Sequence, residues 1–343
     1  EEPVIRLGQR AADWWGQRTT SLHRRGSLVI SPARDSSDLT RFARRTTSHQ
    51  TLTGAEIAAL EPDLGDRFAK GLYFQTEAHL SPRIALAELW RGLVADGASF
   101  EQGEADPETL TQGDIVVDCR GYHAHADLPD LRGVKGEMAL LSCPDIEITR
   151  PIRVLHPRVP IYLVPRGDGI YMLGATMVEG RAGAHASVRS VLELLSAAYA
   201  LSPAFGEAEI LEIGVDSRPA FPDNLPRIER QGNLIRANGL YRHGFLLAPA
   251  LATMVADLIL DAKTPEMFHE RCPARQRRAH ACRPARGRRI RRRESRDRRQ
   301  WQLYPRQPAG QPPPVLRRQH RSARPHAGRL RCAHFTEKPL PMV

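Results

Sequence analysis

The sequence predicts a mixed α/β (α+β) chain with an antiparallel sheet in its middle and a disordered tail behind it. Three observations lead there. Helical and strand-like apolar periods alternate through the first 270 residues. Two aromatic, β-branched runs, IYLVP and IYMLGAT, flank Arg166-Gly167-Asp168-Gly169, which is a strong hairpin signal. Composition then breaks: residues 271–343 hold 22 basic and 3 acidic side chains, a net of +19 that leaves −8 for the preceding 270.

The elements follow in order. Pro3 to Trp15 carries helical spacing through Val4, Leu7, Ala11, Trp14 and Trp15, Ser27 to Ser31 is a short strand, and Ser36 to Arg45 is helical. Thr53 and Glu56 form a capping box that opens a short helix through Leu60, each side chain satisfying the other's backbone N–H. Gly71 to Phe74 is a strand. Ser81-Pro82 supplies an N-cap and an N1 proline for a helix to Asp96, with Ile84, Leu86, Leu89, Trp90 and Leu93 read as one buried face. DIVVDCRG is read as a four-residue buried strand entering a glycine turn. EMALLS and RPIRVL are strands ahead of the hairpin, Ser187 caps a helix to Ala200, EILEIGVDSRP is a strand, and Asn233 to Ala237 is the last one.

The tail cannot bury enough apolar surface to offset its ordering entropy, so disorder is expected from Cys272 onward. Its many arginines, with Lys338 the only lysine, have the composition of a GC-rich gene translated out of frame. A basic tail could also hold nucleic acid through phosphate neutralisation, but Trp301, Tyr304 and Phe335 are its only aromatics and no motif accompanies them. The five cysteines include no CxxC pair and no zinc ligand spacing, so neither a disulfide nor a metal is expected. No apolar run reaches the roughly 18 residues a membrane helix needs, and the first residues have no signal-peptide pattern. A cytoplasmic protein is expected.

Chemistry concentrates near the end of the acidic body, in NGLYRHGFLLAPALATMVADLIL (Asn238 to Leu260). Gly239 and Gly244 permit positive φ or close approach to a flat group. Pro249 suits a first helical turn, which predicts a helix starting near Leu247 or Ala248 with free N–H groups directed back over Arg242 to Leu246.

This segment resembles the last flavin-contacting segment of FAD-dependent amino-acid oxidases. The pattern is similar to that of the glycine oxidases of thiazole (thiamin) biosynthesis, in the D-amino-acid oxidase superfamily. GVKGEM, IYLVPRGDGIYMLGATM, DSRPAFPDNLPRI and DCRG agree with it in order and spacing. The resemblance implies four spans: 1–135, the remainder of an FAD-binding domain interleaved with a substrate domain; 136–220, an antiparallel-sheet substrate domain; 221–270, a return to the FAD-binding domain; and 271–343, the tail. It implies that Arg218 and Tyr162 hold the substrate carboxylate, that Met177 lines a small pocket, and that Arg242 lies near the amino group and flavin. A guanidinium fork suits a carboxylate in a way lysine cannot copy. It further implies that Leu240, Tyr241, Arg242, His243, Gly244, Phe245 and Leu246 approach the isoalloxazine ring. Hydride would leave Cα of the neutral amine, so no side-chain base is required. Oxygen would end as hydrogen peroxide. Lys135 and Glu137 are read as structural, and Cys119 as a buried, inert thiol beside FAD.

The pattern also departs from the family. No G-x-G-x-x-G occurs in the sequence, and residue 1 aligns about 45–50 residues into the family pattern, after the usual phosphate-binding unit. The chain alone is therefore expected to purify without FAD and without oxidase activity. The alternatives are a sarcosine-type oxidase or another D-amino-acid oxidase relative, a non-catalytic fragment, and nucleic-acid binding through the tail. A homo-oligomer is left open.

Overall fold

The computed structural model describes residues 2–111, 114–180 and 183–270; the expected disordered tail lies outside the described residues. Helices α1 (Glu2–Gly8) and α2 (Ala11–Gly16) precede β1 (Ser27–Ile30), α3 (Ser36–Ala43), β2 (Gln50–Thr53), α4 (Gly54–Leu60) and β3 (Lys70–Phe74). Next come α5 (Pro82–Ala95), β4 (Val116–Asp118), β5 (Arg132–Ser142), β6 (Ile152–Val154), β7 (Ile161–Gly167), β8 (Ile170–Gly174) and β9 (Val178–Glu179). The last elements are α6 (Val188–Leu201), β10 (Glu209–Ala220), β11 (Arg227–Gln231), β12 (Leu234–Asn238) and α7 (Gly244–Leu260).

Nine strands form one sheet in the order β10-β5-β8-β7-β6-β1-β3-β2, with β9 pairing β5 off that path. Every pair in it is antiparallel except β1 with β6. The β7–β8 hairpin forms as expected, because Gly167, Asp168 and Gly169 all adopt positive φ in the turn. A second, three-stranded sheet runs β11-β12-β4, with β12 and β4 parallel. Its last strand turns directly into α7.

Alternation of side chains across the large sheet separates two environments. One face carries Leu28, Ile30, Ala139, Leu141, Ile152, Ile161, Leu163, Tyr171 and Leu173, which pack with Leu194, Ala198 and Leu201 of α6 and Ile57 of α4 in the main core. The other carries a thinner cluster of Met138, Val164 and Met172, with Tyr162 partly buried beside it. The second face holds the site.

Several expectations are corrected. The span Pro3 to Trp15 is two short helices. The face expected to be buried on α5 is mostly open: Ile84, Trp90 and Leu93 are exposed, while Ala85 packs against Ala11 and Trp15 with Leu89 partly buried there. Apolar spacing alone located the stripe but not the neighbour, and α2 lies one position off that stripe. Ser81 makes no side-chain cap bond on α5. β4 has three residues rather than four, and Val117 within it and Ile115 just before it are exposed. KTPEMFHE turns at Glu266-Met267 and bridges β11 at Phe268, exchanging backbone hydrogen bonds through Ile228.

The start of α7 is the most consequential correction. It begins at Gly244, so Pro249 lies inside the helix rather than in its first turn. A proline there offers no N–H to the carbonyl four residues back, that of Phe245. The Trp15 indole N–H donates to the Phe245 carbonyl at 2.7 Å, replacing the missing donor, and the two rings pack 5.3 Å apart. Replacing Trp15 with Phe keeps most of the apolar contact and orphans the carbonyl. It should cost about 1–3 kcal/mol of stability, read as a lower denaturant midpoint. An unchanged midpoint would refute this account of how the helix tolerates its proline.

Candidate active site

The site is built on two glycines that flatten neighbouring strands. Gly136 of β5 leaves room for the Arg218 guanidinium: a Cβ there would lie 2.3 Å from both of its Nη atoms. Gly174 of β8 does the same for Tyr162, whose Cζ and Oη would meet a Cβ at 2.8 Å. Register puts Tyr162 directly across from Gly174 and Arg218 across from Val134, two pairs along from Gly136 with Asp216 and so on the same face. Fork and phenol therefore lie over adjacent strands of one floor. An isolated glycine in a strand is the sequence signal for such close approach, and VKGEM and MLGAT both carry it.

Arg218 is buried, and its Nη1 donates to the Thr176 carbonyl at 3.1 Å. No carboxylate pairs directly with it among the described residues. Burial pushes the guanidinium down, the nearby Tyr162 phenol pulls it up, and the like charge of Arg242 pushes it down again. Such a group gains by meeting an anion. Behind Tyr162 a second guanidinium, Arg166, donates to the Leu80 carbonyl and is pushed down to about 10, by burial first. Sequence reasoning passed over Arg166, which sits in the hairpin motif without a signal of its own.

The loop between β12 and α7 closes over this floor. Asn238 holds it, its Nδ2 donating to the Gly121 carbonyl at 2.8 Å and its Oδ1 accepting from the Gly239 N–H at 2.7 Å. Gly239 has φ +84°, and a Cβ there would strike the Phe221 ring. Tyr241 has φ +50°, unusual for a side chain of its size. Its N–H bonds to the Pro219 carbonyl at 2.9 Å, next to Arg218, and its hydroxyl donates to the Met177 sulfur at 3.7 Å. Arg242 is exposed, within electrostatic reach of Arg218.

The structure thus brings Arg218, Tyr162, Met177, Tyr241 and Arg242 together. It separates others by side-chain direction. Leu240 packs into the small-sheet core with Ile228 and Leu251, and Phe245 turns toward Trp15. His243 stands edge-on to Tyr241. Gly244 has open space where a Cβ would stand, and Leu246 is exposed. Cys119, expected to be buried, is exposed. Cys119 and Cys143 are free thiols, the other three cysteines lie outside the described residues, and no group of described residues could hold a metal.

A parallel strand pair feeding the open start of a helix, set beside a large antiparallel sheet with a buried guanidinium on its floor, is the architecture of an FAD-dependent oxidoreductase. Residues 1–258 match the DAO family of FAD dependent oxidoreductases, and the chain belongs to that family. More particularly, it is 50% identical over 261 residues to a Rhizobium etli protein named as a thiamine biosynthesis oxidoreductase, ThiO, covering 76% of this chain and 80% of that one. It is 27% identical over 236 residues to the glycine oxidase of Bacillus licheniformis, 62% of this chain and 63% of the relative. In fold it is similar to the crystal structure of glycine oxidase from Bacillus cereus, with TM-score 0.65 and 20% identity over 77% of this chain and 84% of the other.

The residues present fit the flavin end of FAD. The first-turn N–H groups of α7 and the open space at Gly244 offer a flat group its hydrogen bonds. The sequence of residues 1–343 contains no G-x-G-x-x-G for the phosphate end.

Two predictions follow from this geometry. Gly136→Ala should leave the protein folded, because a flexible side-chain end can yield, while displacing the fork and weakening binding of a small carboxylate such as glycolate by at least about tenfold; wild-type affinity in calorimetry would contradict it. The second concerns His79, whose Nδ1 is buried without a hydrogen-bond partner among the described residues. Burial, then the charges of His23, Arg166 and Arg25, push it from 6.5 to about 4. The unfolded chain therefore takes up the proton first. Stability held by the neutral ring is complete above 6.5 and is lost as pH falls from there toward 4. His79→Asn should flatten that part of the curve of denaturation midpoint against pH, and an unaltered slope would sink the assignment.

Proposed function

We propose that this site carries out FAD-dependent oxidation of glycine or a similarly small amino acid to its imine, with O2 as final acceptor, supplying a glycine-derived imine to thiazole and thiamin biosynthesis. The observation that carries the reading is the buried Arg218 fork, laid over Gly136 beside Tyr162 with no carboxylate of its own. The names and activities of the relatives agree with it.

In net terms the amine loses two electrons and two protons to become the imine, and O2 takes up both pairs as hydrogen peroxide. FAD, when bound, supplies the acceptor that carries the electron pair from Cα to O2. The chain's own residues orient the substrate. Arg218 engages both carboxylate oxygens through its fork, and the Tyr162 hydroxyl donates a further hydrogen bond from the adjacent strand. Met138, Met172 and Val164 leave an adaptable, apolar space beside Tyr162, with Met177 at its outer edge. Arg242, across the cleft, disfavours a protonated amine and so favours the neutral form that gives up hydride. The α7 N–H groups and helix dipole would hold the polar edge of the flavin ring and favour negative charge there.

A second reading within the family is oxidation of an N-methylated or cyclic amino acid, since the methionine-lined space sets no sharp size limit. No helix among the described residues is long and apolar enough to cross a membrane, in keeping with a cytoplasmic enzyme. Nucleic-acid binding through the tail is no part of the proposal.

The test combines binding with turnover. Calorimetry with glycolate should show binding by the wild type and a loss of about a hundredfold in Arg218→Ala; equal affinity in both would sink the carboxylate role. With FAD added, peroxide release is compared for glycine, sarcosine and D-proline. Faster release from sarcosine or D-proline would transfer the reading to the second substrate class. Glycolate binding without peroxide from any of the three would overturn the oxidase reading and leave a carboxylate-binding site.

A further inference from the structure

The site's arginine is secured from the opposite face of the sheet. Glu137 follows Gly136 on β5, so its side chain points away from the floor and into the protein beneath the start of α6. It is 1% exposed. Lys135, also buried, reaches its Oε1 at 3.0 Å, and the Ser187 N–H reaches the same oxygen at 3.4 Å. The Thr176 hydroxyl donates to Oε2. Two backbone bonds complete the clamp: the Glu137 N–H donates to the Thr176 Oγ1 at 2.8 Å, and the Thr176 N–H donates to the Glu137 carbonyl at 3.1 Å. One residue thus holds Thr176 at three points.

Thr176 then faces both ways. Its side chain goes to Glu137 on the core face, while its carbonyl accepts from Arg218 Nη1 at 3.1 Å on the site face. A guanidinium has five N–H donors in a fixed plane, so one bond to an immobile carbonyl sets the rotation of the fork and leaves its remaining donors for a ligand. Without that bond, Gly136 provides a flat bed with nothing to choose the angle at which the fork lies.

We propose that Thr176, clamped by the buried Glu137, is a positioning residue that orients the Arg218 fork toward the substrate carboxylate, so that the Lys135–Glu137 ion pair acts through the sheet on carboxylate affinity. The inference rests on the carboxylate-binding reading of Arg218. Glu137 is therefore more than packing: its charge fixes Thr176, and Thr176 fixes the arginine. Burial would push the Glu137 carboxyl up, but the hydrogen bonds from Thr176, Lys135 and Ser190 outweigh it and hold it below its ordinary range, so the clamp is ionised at neutral pH.

Removing Glu137 breaks a buried ion pair and risks unfolding, so the test uses Thr176. Thr176→Val deletes the hydroxyl and keeps the backbone carbonyl; Thr176→Ser keeps both. Glycolate affinity by calorimetry and thermal melting are measured for wild type, both variants and Arg218→Ala. The expected result is about a tenfold loss of glycolate affinity in Thr176→Val, restored in Thr176→Ser to within about twofold of wild type. A Thr176→Val variant that melts lower yet binds glycolate as wild type does would overturn the inference, leaving Thr176 a structural clamp only. A Thr176→Ser variant as weak as Thr176→Val would overturn it too, since the bond to Glu137 would not be the cause. Undiminished binding in Arg218→Ala would instead remove the underlying carboxylate reading, whatever the Thr176 variants do.

Discussion

Taking the Arg218 guanidinium out of water costs free energy that the chain recovers only in part. It offers one carbonyl, a neighbouring phenol, and a carboxylate acting from behind the sheet, but no direct ion pair. Everything around the site follows from making that burial tolerable while leaving the fork free. Two glycines provide the bed, because any side chain at 136 or 174 would occupy the volume of the fork or of the phenol. The β5–β10 register brings arginine and bed together. The Tyr241 turn, tied to Pro219, closes the other side. The unmet charge is the driving force for ligand binding, and the rigid floor directs it.

The same division explains why the large sheet has two unequal faces. The core face is dense with aliphatic side chains under α6, and rigidity there is what a pre-arranged site requires. The site face is thin and methionine-rich, carrying three arginines, Arg166, Arg218 and Arg242, and no carboxylate among the described residues pairs with the buried Arg218 or the half-buried Arg166. Positive charge on an apolar bed is unfavourable in the empty protein and favourable once a small anion arrives. Stability and function are thus separated by a single layer of strands, and Thr176 lies where the two faces touch.

Much of this was legible in the sequence, and the exceptions share a cause. Local signals held: the Thr53–Glu56 capping box, the Ser187 cap, the glycine-rich hairpin and the long strand ending at Arg218. Arg218, Tyr162 and Met177, which the fold brings near one another, were singled out by ordered motifs rather than periodicity. What failed were statements about which neighbour an element meets. The stripe on α5 has helical spacing, yet Ile84, Trp90 and Leu93 stay exposed, with Trp90 stacked on a likewise exposed Phe100. Pro249 reads as a helix start because locally it should be one; only Trp15, far away in sequence, makes its interior position tolerable. Thr176 and Glu137 were unreadable for a related reason, since a residue that works from the far side of a sheet leaves no spacing pattern on the near side. Gly136 and Gly174 were readable in principle, as glycines interrupting strands, but what they make room for depends on register.

The pairing of Trp15 with Pro249 also limits how this sequence can drift. A proline at 249 without the indole leaves the Phe245 carbonyl unsatisfied, while an indole beside an unbroken helix would compete with the helix's own donor. Neither position can change alone without a penalty, although they belong to helices more than 220 residues apart in sequence. The start of α7, beside the proposed site, is thereby tied to a short helix that contributes no residue to it. Two distant positions are in this sense one inherited unit, and variation at either should be read together with the other.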